Sequence, residues 1–319
     1  MASNFTPNPE QLTLLPDITG KKINGVGETE IRQPTPIFWH DPERIAHGDL
    51  QAWFYKNGRS EKVRSIREET MKVMATPISE VTQEKPDWSA SQWTENLKQA
   101  ALEREADLVG IAKVRPEWIF EGFEVKEKWI VVLGMAMVFE EILDAPGPRT
   151  QVEVQTQYGR GARAAHKLAS WIQEQGWAAK HHGGPRAGSM LIIPAALEAG
   201  FGELGKHGSI INRQYGSSFR LAYVLTDVPL IEDEPIEIGA DGFCTNCQLC
   251  TKGCPVDAVS PTKEMVRGVE KWFIDFDKCI LYFNEHNGCA VCLAKCPWNK
   301  DGAAPRLTDK LTRRLSQNR

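Results

Sequence analysis

The sequence predicts a mixed α+β protein whose last quarter is a separate cysteine-rich module. Three observations predict it. Helical-period stripes and short, strongly apolar runs alternate through the middle of the chain. All eight cysteines lie beyond residue 240. The first ninety residues carry scattered prolines and aromatics with no sustained period. The boundaries this suggests are an irregular wrapping segment at 1–90, an α/β core at 91–235 and the cysteine module at 236–319.

Taken in order, residues 1–90 hold prolines from Pro7 to Pro86 and an aromatic group, Phe38, Trp39, His40, Trp53, Phe54 and Tyr55. Aromatics are efficient burial anchors, so this group can hold the segment to the main body. One or two of them can also wall an apolar pocket. A helix follows: Ser89 and Gln92 have capping-box spacing, and Trp93, Leu97, Ala100 and Ala101 recur at helical intervals. Asp107 to Val114 reads as a strand. Ile130 to Phe139 is nearly all apolar, as expected of a strand covered on both faces. After the loop Pro146-Gly147-Pro148, residues 160–175 predict an amphipathic helix with Ala162, Ala165, Leu168, Ala169 and Ile172 inward and Gly176 as its stop. Ile192 to Ala199 reads as a short helix, and Phe219 to Leu225 as a strand ended by Pro229.

Composition sets limits. The chain has 319 residues, enough for one large or two modest domains. Its net charge, 38 − 42 = −4, gives no general attraction to nucleic acid. No apolar run reaches membrane length, and the N-terminus has neither a basic stretch before an apolar one nor twin arginines. A cytoplasmic location is therefore expected, with no membrane or nucleic-acid partner.

The cysteines carry the strongest chemical signal. They read Cys244-x2-Cys247-x2-Cys250-x3-Cys254-Pro255 and Cys279-x9-Cys289-x2-Cys292-x3-Cys296-Pro297. Thiolates at two-residue intervals wrap one iron–sulfur cube, and the cysteine before proline reaches across to a second. Zinc sites present separated pairs instead, and disulfides suit an exported chain better. Two [4Fe–4S] clusters with crossed ligation are expected. Cys244, Cys247 and Cys250 would share one with Cys296; Cys279, Cys289 and Cys292 would share the other with Cys254. The wide x9 gap requires Cys279 to return from a loop or helix.

A glycine-rich turn, Gly200 to Gly208, lacks both the dinucleotide pattern G-x-G-x-x-G and the phosphate pattern G-x-x-x-x-G-K-[ST]. Four glycines in nine residues suit a close approach to a flat ligand or a tight turn in the core.

Ile193-Pro194-Ala195-Ala196, Glu198 to Lys206, Leu225-Thr226-Asp227-Val228-Pro229-Leu230 and the two cysteine runs, in that order, resemble the cobalamin-dependent reductive dehalogenases. Those enzymes share a core with epoxyqueuosine reductases, and the resemblance spans roughly residues 95–300. It implies a nitroreductase-like α/β core binding a base-off corrinoid, beside a ferredoxin-like two-cluster module. The chain has no D-x-H-x-x-G, so a histidine-ligated corrinoid is not signalled. The implied activity is that of an oxidoreductase replacing halogen by hydrogen on a small organohalide. Electrons would come from a ferredoxin, a flavodoxin or a reductase.

The resemblance also implies site residues. Gly202, Gly205, Lys206, His207 and Gly208 are the corrinoid-binding candidates. Tyr158, near a helix start, is the candidate proton donor, aided by Lys206 or Arg220; a phenol beside a fixed cation can hand over a proton. His207 and His286 are single histidines, each more in keeping with a supporting role than with a metal ligand. Epoxyqueuosine reductases resemble the same core but carry an aspartate upstream of the glycine turn. Here Gly183 to Ser189 holds no carboxylate. An epoxyqueuosine reductase-like enzyme acting on tRNA, or an electron-transfer protein with a flavin-type core, stand as alternatives.

Overall fold

The computed structural model describes residues 5–57 and 60–317. In its middle lies a four-stranded sheet of β1 (Leu108–Lys113), β2 (Trp129–Ala136), β3 (Ala179–His182) and β6 (Phe219–Thr226). The order is β1-β2-β6-β3, and every pairing is antiparallel, with Ile130 opposite Leu225 and Val131 opposite Ile111. Two further short strands, β4 (Glu203–Leu204) and β5 (Ile210–Ile211), form a separate hairpin.

β2 explains why the run beginning at Ile130 is apolar without alternation. Val131, Leu133 and Met135 face one core, with Trp93, Leu97, Leu168 and Ile172. Ile130 and Val132 face the other, with Ala195, Phe201 and Phe219. Both faces are dry, so the period-2 signal vanishes. The covering helices are α5 (Ala90–Leu102) and α7 (Pro148–Glu174) on the first face and α8 (Ile192–Glu198) on the second. Ser89 and Gln92 close the expected capping box on α5.

Two expectations change. α7 begins at Pro148, not near residue 160, so Tyr158 lies well inside the helix and not near its start. Gly147 caps it and Pro148 occupies the first turn, where a missing N–H costs nothing. The segment expected to be irregular contains four helices joined by irregular stretches: α1 (Pro9–Thr13), α2 (Gly20–Asn24), α3 (Gly48–Lys56) and α4 (Glu61–Ala75). α4 hides in a charged stretch because its stripe is sparse. Ser60 caps it, and Val63 and Thr70 are its buried residues.

The cysteine module follows α6 (Phe139–Ile142) and the sheet in sequence. It comprises α9 (Ala240–Asn246), α10 (Leu249–Gly253), the hairpin β7 (Glu264–Val266) and β8 (Val269–Lys271), α11 (Phe276–Glu285), α12 (Val291–Ala294) and α13 (Ala303–Gln317). The N-terminal segment is fastened to it. Gln11 Nε2 donates to Leu281 O at 3.2 Å and to Glu285 Oε1 at 2.8 Å, and Gly20 N–H donates to Asp277 Oδ1 at 2.7 Å. No helix among the described residues is long and apolar enough to cross a membrane.

Candidate functional site

A cavity of 340 Å³ opens where the N-terminal segment, α7, β6 and the cysteine module meet. From α7 it receives Tyr158, from β6 Arg220, and from the N-terminal segment Trp39 and Phe54. The module contributes Cys254, Cys279, Cys289 and Cys292. Among the described lining residues none is Asp or Glu, and Arg67 and Arg220 are the arginines.

Tyr158 and Arg220 meet across the wall, with the Arg220 guanidinium carbon 5.7 Å from the centre of the phenol ring. That is within cation–π range. Arg220 Nε is buried and has no hydrogen-bond partner among the described residues. A buried donor left in this state is costly, and its position suits an acceptor brought by a bound molecule.

The same four cysteines that line the cavity also act on one another. Burial pushes the Cys279 thiol up to about 12, with Cys289 and Cys254 adding to it. Burial likewise raises Cys289 to about 11, and Cys254 adds to that. Cys292 is raised by burial and then by Cys289 and Cys279. The other four form a second group. Cys296 is pushed up to about 12 by burial, then by Cys244 and Cys250; Cys244 reaches about 11 by burial, with Cys250 and Cys247 adding. Cys250 of the second group also acts on Cys292, so the two groups adjoin. Cys279 returns from α11, a helix, as the x9 gap requires. Among the described residues no three His, Cys, Asp or Glu side chains converge on a single metal ion. Thiolates each bound to a separate corner of a cube stand further apart than the ligands of one ion.

Lys206 is fully buried and away from the cavity lining. Its Nζ donates to Pro261 O at 3.1 Å and lies 4.7 Å from the Trp272 ring centre. Its charge acts on Cys244 and Cys250, in the second thiol group. Gly202 and Gly205 also stay out of the lining. A Cβ on Gly202 would sit 2.0 Å from Ile211 O, so its absence lets the β4–β5 hairpin close. His207 and Gly208 do line the cavity. Burial pushes the His207 imidazole down to about 4. Its Nδ1 accepts from Ser209 N–H at 3.2 Å, and its Nε2 lies 3.2 Å from Ser217 Oγ. His286 Nδ1 lies 2.8 Å from Tyr282 O, and its ring stacks on Tyr282 at 3.9 Å.

The aromatic group has both of its expected roles. Phe38 packs in a small core with Leu50 and Ile280, whereas Trp39 and Phe54 wall the cavity. Arg67 was not legible: it sits in a charged run with nothing to distinguish it from a solvated arginine.

Residues 243–300 match the 4Fe-4S dicluster domain. The chain is 32% identical to a tetrachloroethene reductive dehalogenase of Dehalobacter restrictus over 209 residues, 61% of this chain and 37% of the relative. A solved catabolic reductive dehalogenase aligns at TM-score 0.68 and 25% identity, covering 77% of this chain and 38% of that one. The chain is similar to the reductive dehalogenases. It spans little more than a third of those relatives' length. Another dehalogenase structure, in complex with 3-bromo-4-hydroxybenzoic acid, shares the fold at TM-score 0.73 over 93% of this chain and 46% of its own, with 22% identity. An epoxyqueuosine reductase from Synechococcus is 25% identical over 253 residues, 65% of this chain and 75% of the relative. The dehalogenase-like chain thus pairs a mixed α/β fold with a dicluster module at its C-terminal end.

Proposed function

We propose that the chain is a corrinoid-dependent reductive dehalogenase, replacing halogen by hydrogen on an organohalide. The observation that carries this reading is one cavity holding a thiol group, a phenol–arginine pair and an aromatic wall, with no carboxylate among its described lining residues. Clusters held by the two thiol groups would supply electrons one at a time. A corrinoid bound in a nitroreductase-like core would supply the low-valent metal for cleaving a carbon–halogen bond.

The residues fit such cofactors. Eight thiols in two groups of four match two cubes. Burial makes these thiols hard to ionise alone, and iron offsets that by displacing their protons. The thiol group of Cys254, Cys279, Cys289 and Cys292 is the one on the cavity, so it is the later station for electrons. Gly208 and His207 offer a backbone surface and a neutral ring to a flat ligand. In the reaction, Tyr158 holds the proton destined for carbon, and Arg220 stabilises the phenolate left behind. Trp39 and Phe54 exclude water from the reacting carbon.

Epoxyqueuosine reduction is disfavoured because the cavity offers no acidic proton donor among the described residues. The deciding experiment is anaerobic reconstitution with iron, sulfide and corrinoid, followed by halide release under a strong chemical reductant. Uptake of corrinoid, seen as a cobalt(II) EPR signal, together with halide release is expected. Protein that takes up iron but never corrinoid, or contains zinc instead, sinks the reading.

A further inference from the structure

Arg67 is the arginine of the cavity for which the proton-donor pair has no use. Its guanidinium carbon lies 4.2 Å from the Tyr55 ring centre, and no ion pair to it occurs among the described residues. α4, which carries it, packs on α7. Thr70, one turn further along, closes on Gly159, the neighbour of Tyr158; a Cβ there would stand 2.9 Å from Thr70 Oγ1. Arg67 thus lines the same cavity as Tyr158, from the helix packed against α7.

Beside it stands a rigid aromatic wall. Trp39 has φ +65°, a left-handed conformation that a bulky side chain adopts only under constraint. The constraint is visible. Trp39 N–H donates to Gln51 Oε1, Gln51 Nε2 donates to His40 O at 2.6 Å, and Ala187 N–H donates to Trp39 O at 3.0 Å. Gln51 itself is 1% exposed. The indole meets Phe54 edge to face at 5.2 Å and Phe283 at 5.8 Å. This fixes a flat apolar slot next to a cation that no carboxylate among the described residues neutralises.

We propose that Trp39, Phe54 and Arg67 form a substrate subsite for planar aromatic carboxylates, so that this chain prefers halogenated aromatic anions to neutral organohalides. The proposal rests on the dehalogenase reading for the meaning of "substrate", but its binding chemistry can be measured without turnover. A carboxylate accepts charge-assisted hydrogen bonds from a guanidinium, while its amide isostere forfeits the charge.

The test is calorimetric binding of 4-chlorobenzoate and neutral 4-chlorobenzamide to the reconstituted holoprotein at neutral pH. The wild type should bind the benzoate at least about tenfold more tightly. Arg67→Gln should erase that preference and leave the benzamide affinity within about twofold, and Arg67→Lys should keep part of it. In turnover, Arg67→Gln should raise KM for the benzoate by a larger factor than it lowers kcat. Trp39→Ala should weaken both ligands. Equal binding of the two ligands by the wild type overturns the proposal, as does an equal loss of both in Arg67→Gln, which would make Arg67 a packing partner of Tyr55 alone. Preferential benzoate binding without any halide release would leave the subsite standing and remove the dehalogenase reading.

Discussion

Tyr158 shows how a residue's meaning depends on its neighbour. Alone it is a half-buried phenol on a helix; with the Arg220 guanidinium over its ring, a phenolate there would have a fixed counter-charge, which is what the proposed proton donor needs. Tyr158→Phe should lower halide release by about 10²–10⁴-fold while iron and corrinoid contents stay at wild-type levels. Full activity in that variant would assign the proton to another group. His181 makes a separate prediction about stability. Burial, with help from His166 and His182, pushes its imidazole from 6.5 down to about 4. Between those values the unfolded chain binds a proton that the native state does not, so stability is complete above pH 6.5 and declines as pH falls towards 4. The loss should be about 1–2 kcal/mol, solvent at the exposed part of the ring screening the rest. Urea midpoints of wild type and His181→Gln compared at pH 7 and pH 5 measure it: the variant should show the smaller drop.

At the scale of elements, α8 and β1 approach closely because Gly110 has no side chain. A Cβ there would lie 2.3 Å from Ala199 O and 2.9 Å from the Phe201 ring. Gly110→Ala should therefore cost about 1–3 kcal/mol in denaturant unfolding, since a backbone carbonyl cannot step aside as a flexible side chain can. α11 carries a second prediction. It presents Cys279 to the cavity-side thiol group, so Cys279→Ser should remove or weaken one cluster and spare the other. Anaerobic iron analysis should then fall from about eight towards about four atoms per chain. An unchanged iron content would show that Cys279 is not a ligand.

Across the whole molecule, the N-terminal segment is a strap over the cysteine module. Gln11 is fully buried and exchanges hydrogen bonds with both Leu281 O and Asn284 Nδ2, the latter at 3.0 Å. Gln11→Ala would leave Asn284 Nδ2 buried without this acceptor, at a cost of about 1–3 kcal/mol. Because those partners lie on α11, iron loss to a chelator should also quicken. An unchanged rate would mean that strap and module are energetically separate.

What could be read from the chain follows from how local each signal is. The thiol groups, the α5 capping box and the apolar run of β2 depend on spacings of a few residues, which a strand or a helix turn converts directly into geometry. α7 was read too short because Thr150, Glu153 and Gln157, all buried, interrupt the apolar stripe of its first half. Their polar atoms are instead satisfied locally, as when Gln157 Nε2 donates to Glu153 Oε1 at 3.0 Å. Arg67 and Gln51 gave no signal, since each acts only through residues far away in the chain. The sequence by itself determined that the C-terminal stretch is a 4Fe-4S dicluster module, because the cysteine order that marks it is written along the backbone. Only the tertiary structure decided that Arg220 and not Lys206 meets Tyr158, and which thiol group borders the cavity. Those choices depend on distances between segments that share no local geometry, and packing alone brings them together.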